Sequence, residues 1–560
     1  MTESGKGTRG GAPGRSALGQ DPSIALPRDV ARAFHARVLD PERARTGPGA
    51  RPVRPTAYLS NRLLVRGLPT GAASERVQRL LSVGQGLKRP IRVEVCSTDR
   101  VVGPLLADGP AAQDADQRYL TRVDLSWDES ESFRRSGAPP MDAWELLATA
   151  RSQGAVDPSD VHLDHLMTAC GYWGGEGYWG GNGYWGGNGG EGYWGGNGYW
   201  GGNGSPYGRP GFGPPGMPVA YHAADPAEFA TAAARPPVVA MLDTGIGSHP
   251  WFDNRQRVRT ISDFGGAALC CVAGDSGTDE LTGLLAPLAG HGTFVAGIVR
   301  QAAPQASLLS LPVMGCGGAA SEGDVLAALN FLLHRHVEAQ RAVCESGDDR
   351  RVADIVDVIS LSMGYYHEGT APEPDAAVGG APEDETPLRA AIQALGDAGV
   401  LIVAAAGNDA TRTPLYPAAW GGDPRAAIAD RTGRLPLVSV GALNPSDGTV
   451  AMFSNGGDWV SCYRPGALVV STVPVTLDGS MQGGVSVETA DGRQRSTLDP
   501  DDYRSGFAVW SGTSFAAPLL AGAVAARLAD ASDVTEVDAR SMRRRGWAAL
   551  VDELDWGSGT

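Results

Sequence analysis

Four runs of apolar residues constrain the fold of this chain more than any other feature. Pro237–Leu242 and Val400–Ala405 are apolar throughout, and Val356–Leu361 and the shorter Leu437–Val440 are nearly so. A strand that exposes one face to water alternates polar with apolar residues. A continuous run belongs to a strand covered on both faces, as in a parallel sheet between helical layers. Two segments further on read as buried helices, Gly292–Arg300 and the alanine-rich Phe515–Leu528. Strands alternating with helices predict a doubly wound, mostly parallel α/β domain. Sheets of this kind build their sites beyond the carboxyl ends of the strands.

Chemistry-bearing residues stand at those ends. Asp243 closes the first run before a glycine turn, His291 opens the first helix, and Ser514 precedes Phe515 at the start of the second. Alone, an Asp after a strand is also a turn former, and a His before a helix is also a cap. Together they supply a carboxylate, an imidazole and a hydroxyl, the set that turns an unreactive alcohol into a nucleophile. A hydroxyl at a helix N-terminus also lies near unpaired backbone N–H groups and the positive end of the dipole, which favour developing negative charge.

The stretches around these residues are Asp-Thr-Gly-Ile-Gly from Asp243, His-Gly-Thr-Phe-Val-Ala-Gly from His291, and Ser-Gly-Thr-Ser-Phe-Ala-Ala-Pro ending at Pro518. They resemble the three active-site signatures of the subtilisin-like serine proteases, in the chain order Asp, His, Ser that marks that family. Residues 219–535 are similar to its catalytic domain. Ser360-Leu361-Ser362-Met363-Gly364 resembles the strand that pairs with the substrate backbone, and Ala404-Ala405-Ala406-Gly407-Asn408 resembles the stretch ending in the oxyanion-hole asparagine. The resemblance implies a serine endopeptidase acting on protein or peptide substrates through an acyl-enzyme. Ser514 would be the nucleophile, His291 the base and Asp243 its orienting partner, with Asn408 and the Ser514 N–H stabilising the oxyanion. Substrate backbone would pair with Ser362, Met363 and Gly364 on one side and with Ala405, Ala406 and Gly407 on the other. No cofactor is implied. Acidic members of the family often bind calcium, but no regular calcium loop is visible, and no metal ligand is assigned.

The chain also departs from the family pattern. Phe294 stands where many relatives carry a second histidine, so it is expected to pack rather than titrate, and Met363 replaces a common leucine. Val473–Arg504 is a polar insertion expected to form a surface loop or hairpin beside the site. Glu368–Pro387 is acidic and Pro-rich and reads as a loop.

At 560 residues the chain is too long for one core, so two or more domains are expected. A net charge of −16 argues against nucleic acid or an anionic membrane as partner. No apolar stretch is long enough to span a bilayer. Met1–Gln20 lacks the apolar core of a signal peptide, which predicts a cytoplasmic enzyme, with secretion left open through a missed start site. Seven cysteines (Cys96, Cys170, Cys270, Cys271, Cys316, Cys344 and Cys462) show no disulfide spacing, which fits free thiols in a reducing compartment. His162, His165, His334 and His336 form close pairs in sequence but are poor metal candidates, and packing roles are expected for them.

Residues 1–55 read as a disordered Gly/Pro/Arg-rich tail. Residues 56–168 read as a small α+β unit in the order β-α-β-β-α-β: Leu63–Val65, Ser74–Val83, Ile91–Val95, Leu120–Trp127, Met141–Arg151 and Val161–Met167. That is a ferredoxin-like order, similar to the propeptides that precede subtilisin-like domains and lay their tails in the active-site cleft. An unrelated docking domain of the same size is the competing reading. Residues 169–218 form a linker in which Gly-Tyr-Trp-Gly-Gly-Asn/Glu recurs five times, and 536–560 reads as a C-terminal tail. Two functional alternatives stand beside the endopeptidase: a dedicated processing protease and a non-catalytic peptide-binding regulator on the same fold.

Overall fold

The computed structural model describes residues 24–556, apart from 25, 45–52, 88–89, 109–111, 113, 128–139, 170–215, 254–256, 265, 269–276, 279–282, 370–385, 423–432, 447 and 481. The repeat segment, Cys170, Cys270, Cys271 and most of the acidic loop after Glu368 lie outside the described residues.

The first part of the chain runs α1 (Arg28–Ala33), β1 (Ala36–Leu39), β2 (Thr56–Arg66), α2 (Ala72–Gln85), β3 (Ile91–Val95), α3 (Ser97–Leu106), α4 (Ala115–Arg118), β4 (Leu120–Trp127), α5 (Ala143–Ser152) and β5 (Val161–Thr168). Its antiparallel strands lie in the order β5-β2-β4-β3, with β1 on β2. The pleat gives this sheet two uses. Leu63 and Val65 face a core with Leu80 of α2 and Leu147 of α5, whereas Leu64 between them faces a second core shared with the rest of the molecule. The tail read as disordered up to residue 55 contains α1 and β1; Val30 is the apolar residue that anchors α1 in the shared core.

The second part begins with β6 (Met217–Pro218), β7 (Val238–Asp243), β8 (Val258–Thr260), β9 (Asp263–Phe264), β10 (Ala267–Ala268), α6 (His291–Ala302), β11 (Ser307–Pro312) and β12 (Ala319–Ser321). It continues through α7 (Glu322–Ser346), β13 (Val358–Leu361), α8 (Pro387–Ala398), β14 (Leu401–Ala405), β15 (Leu437–Leu443), β16 (Cys462–Pro465) and β17 (Val469–Thr472). It ends with β18 (Ser486–Glu488), β19 (Gln494–Ser496), β20 (Phe507–Trp510), α9 (Thr513–Ala529) and α10 (Ala539–Glu553). Seven strands form the central sheet, in the order β16-β15-β14-β13-β7-β11-β8, and every pairing in it is parallel. All six residues of β7 are buried, which is why its sequence is apolar without alternation. From β7 the chain builds the sheet first to one side, through β11, and then to the other, through β13. The carboxyl end of β7 is therefore a topological switch point, where a crevice opens.

Residues 536–560, read as a tail, contain α10, which packs on α9 and α8; its fully buried Trp547 and Leu550 join the core shared with α9. The insertion Val473–Arg504 does form an exposed hairpin, β18–β19, while Leu477 and Tyr503 at its base are buried.

Candidate active site

Asp243 ends β7 at that switch point. Its Oδ1 accepts from the Thr244 backbone N–H at 2.8 Å and lies 2.7 Å from Nδ1 of His291. The carboxylate therefore holds a proton on Nδ1 and leaves Nε2 as the basic nitrogen of the neutral ring. His291 is brought there by the first turn of α6. Gly292 allows this approach, because a Cβ at that position would stand 2.0 Å from the Gly245 carbonyl oxygen. Two hydrogen bonds pin the helix to the β7 turn: Gly292 N–H donates to Thr244 Oγ1 at 2.8 Å, and Gly247 N–H donates to Thr293 Oγ1 at 2.7 Å.

Ser514 is the second residue of α9, and its Oγ lies 3.4 Å from the Ser362 carbonyl oxygen. Ser362 Oγ in turn donates to the Ser514 carbonyl at 2.9 Å, tying the loop after β13 to the helix that carries the hydroxyl. Trp510 and Phe515 pack on the His291 ring, at centroid distances of 5.7 and 5.4 Å, and Phe294 packs on both of them. Phe294 is fully buried and fills space, as expected.

Asn408 follows β14. Its Oδ1 accepts from Thr513 N–H at 2.8 Å and from Thr513 Oγ1 at 2.9 Å. With the carbonyl end engaged, the amide end is left as donor beside the start of α9.

Beyond these groups runs a strand-lined cleft, and the first part of the chain lies in it. Thr168, the last residue of β5, exchanges both hydrogen bonds with Gly364, at 2.8 and 2.9 Å. On its other side β5 pairs with β12 in the register Thr168–Ala319, Met167–Ala320 and Leu166–Ser321, and Ala169 N–H donates to the Gly318 carbonyl at 3.1 Å. β5 thus lies between Gly364 and Gly318–Ser321, while Ala405–Gly407, expected to pair with substrate, has other backbone partners. Ala405 and Ala406 are fully buried, Ala405 is paired to Val440 in the sheet, and Ala406 is held by Val440 and by the Asn455 side chain. Gly407 donates to Thr513 Oγ1 at 3.0 Å, so this stretch supports the base of α9. Of the first edge, Met363 is fully buried and Gly364 carries the pairing.

Residues 235–545 match the model of the subtilase family, more than half of the chain. The chain belongs to the subtilase family. It is 25% identical over 337 residues to the serine protease AprX of Bacillus subtilis (strain 168), spanning 56% of this chain and 62% of that protein. It is 28% identical over 312 residues to an intracellular serine protease of Paenibacillus polymyxa, spanning 53% of this chain and 70% of that protein. With subtilisin Savinase of Lederbergia lenta it shares 26% identity over 254 residues, 44% of this chain and 69% of that protein.

Several features of this subtilase were missed in the sequence. Gly318–Ser321 is too short and too small-residue to read as a strand, and its partner is more than a hundred residues away. Trp510, four residues before Ser514, has the pattern of a core aromatic in the sequence and packs on the His291 ring in the structure. His336, read as a packing residue, is buried; its Nδ1 accepts from Val356 N–H at 3.1 Å and its Nε2 faces the Ala398 carbonyl at 3.2 Å. Burial holds its pKa down at about 4. Cys96, Cys316, Cys344 and Cys462 are free thiols. Among the described residues, no helix is long and apolar enough to cross a membrane, and His165, His367 and Glu368 are the three side chains close enough together to be weighed as a metal site.

Proposed function

We propose that this subtilase is a serine endopeptidase that is produced with its own inhibitor and released from it by a cut in the linker. The reading is supported by one observation: β5, a strand of the first part of the chain, lies between Gly364 and Ala319 as an added strand. Peptides bind such edges by adding a strand, so main-chain bonds supply affinity while side-chain pockets select.

Ser514 Oγ attacks the scissile carbonyl as His291 Nε2 takes its proton. Asp243 keeps the ring in the reactive tautomer and stabilises the imidazolium that forms. The carbonyl oxygen becomes an oxyanion facing the Asn408 amide and the Ser514 backbone N–H. Collapse breaks the C–N bond, and His291 returns the proton to the leaving amine. Water then attacks the acyl-enzyme with the same base, and Ser514 is regenerated.

The end of β5 supports a cut shortly after it. Thr168 pairs with Gly364, two residues after Ser362, and the Ser362 carbonyl lies beside Ser514 Oγ. In this reading the cut falls after β5, where the Gly-Tyr-Trp repeats begin in the sequence. The residues before the repeats are then a ferredoxin-like propeptide whose tail blocks the cleft until it is cut and removed. Intact-mass analysis of wild type beside Ser514→Ala tests it. The expected result is loss of the part before the repeats, about the first 170 residues, from the wild type alone. Both proteins remaining full length, with Ser514 unreactive to a fluorophosphonate, would overturn the reading.

A further inference from the structure

We propose that Glu322 and Glu368, with the ring of Tyr365 between them, form a subsite that selects a planar cation in the substrate. The selected residue lies three positions before the one that pairs with Gly364. This rests on the reading that the tail of β5 occupies the substrate cleft.

His165 is the residue at that position. Its Nδ1 is 2.6 Å from Glu322 Oε2 and its Nε2 is 2.6 Å from Glu368 Oε2. Its ring lies on Tyr365 with centroids 4.5 Å apart and planes 17° from parallel, and Tyr365 O–H donates to Glu322 Oε1 at 3.2 Å. The imidazole thus meets a carboxylate at each nitrogen and an aromatic face beneath. Ownership decides what this means. His165 belongs to the first part of the chain, while Glu322, Tyr365 and Glu368 belong to the subtilase part. When another peptide replaces the tail, the two carboxylates and the ring stay behind.

The pocket then discriminates by charge and shape. The Glu322 and Glu368 side chains are 5% and 6% exposed under the tail. Two carboxylates taken out of water without a cation are costly, so a neutral residue at this position leaves them uncompensated and an acidic one adds repulsion. A flat group with donors on opposite edges satisfies both and stacks on Tyr365, which suits imidazolium or guanidinium; an ammonium is a point charge that reaches one carboxylate well. Burial alone would lower the His165 pKa, but Glu368 and Glu322 outweigh it and raise it to about 10, so the bound ring is charged.

The same cluster does not suit a metal ion. Gly369 N–H donates to His367 Nδ1 at 2.9 Å, which places the proton of the neutral ring on Nε2, facing Glu368 at 3.4 Å. In that tautomer His367 offers no lone pair toward Glu368, and His165 is engaged by a carboxylate at each nitrogen.

The test has two arms. In full-length Ser514→Ala protein, His165 is replaced by Arg, Gln and Glu, and deuterium uptake is followed at the amides of Leu166–Thr168. Arg is expected to keep protection near that of His; Gln is expected to lose about ten- to a hundredfold, the scale of a charge-assisted bond, and Glu more. The order should flatten when Glu322→Gln and Glu368→Gln are added. In the second arm, wild-type protein is given peptides of the sequence Asp164–Gly171 with His, Arg, Lys, Gln or Glu in the second place, and kcat/KM is expected to follow the same order. Equal protection across the variants, or hydrolysis indifferent to that place, overturns the subsite. The expected order of protection with no peptide hydrolysed at all leaves the subsite standing and sinks the peptidase reading instead.

Discussion

At the scale of single residues, the proposed mechanism separates the group that reacts, Ser514, from the group that orients, Asp243. Oδ1 of Asp243 lies 2.7 Å from Nδ1 of His291 and accepts from Thr244 N–H. Asp243→Asn can keep the shape while favouring the wrong tautomer, so turnover of a peptide substrate should fall by about 10⁴ with KM little changed. Asn408 is held through its carbonyl by Thr513, so its amide has one direction open. Asn408→Ala should lower kcat by about 10²–10³ and leave the fluorophosphonate reaction of Ser514 detectable, a combination that loss of folding would not produce. These positions stand out in the sequence because each lies where a strand ends or a helix begins, and those places are marked by glycines and by the end of an apolar run. Trp510 and Phe515, which pack on the His291 ring, were not singled out because an aromatic residue in an apolar segment has the same pattern whether it lines a site or a core.

At the scale of elements, the parallel sheet was legible and its trimmings were not. Burial on both faces writes itself into Pro237–Leu242 as a run without alternation, and its short length separates it from the longer buried helices. The edge strand Ala319–Ser321 has no such mark, since its three small residues are chosen by their partner β5 and not by a periodicity of their own. The last helix, Ala539–Glu553, was hidden by its three consecutive arginines, Arg543–Arg545, and by mixed polarity throughout. Its stability comes from one large anchor. Trp547 is fully buried and its Nε1 donates to the Gly433 carbonyl at 3.2 Å. Trp547→Ala should therefore cost about 3–5 kcal/mol of folding stability, read from the urea midpoint of full-length Ser514→Ala protein. A drop of less than about 1 kcal/mol would mean that this helix is an ornament of the fold and not part of its core.

At the scale of the whole molecule, the two parts are joined by charge as well as by apolar surface. Arg122 of β4 is buried between Asp99 and Asp324, the second at the start of α7. Asp164 of β5 accepts from Ser321 Oγ and from Gly323 N–H at the same helix end, which favours a carboxylate there. None of this was legible in sequence, because pairing across a distance of more than a hundred residues leaves no local period. Buried titratable groups at this junction make docking depend on pH. His165 is raised from an ordinary 6.5 to about 10, so its contribution to docking is complete below 6.5 and is lost as pH rises toward 10. Burial raises Asp164 to about 6, so its contribution likewise declines from 3.8 upward through that value. Glu368 runs the other way. Burial would raise its pKa, but His367 and His165 together hold it well below 4.5, so its contribution is present above that value and fades in acid. Arg151 adds to that lowering, and Tyr365 faces the cluster through its bond to Glu322. Between pH 6.5 and 10 the His165 loss is the main change, because Asp164 has already titrated and Glu368 stays ionised. Urea midpoints of full-length Ser514→Ala protein should fall across that interval, and the fall should be markedly smaller with His165→Gln. Parallel curves for the two proteins would mean that the imidazolium does not hold the first part of the chain to the second.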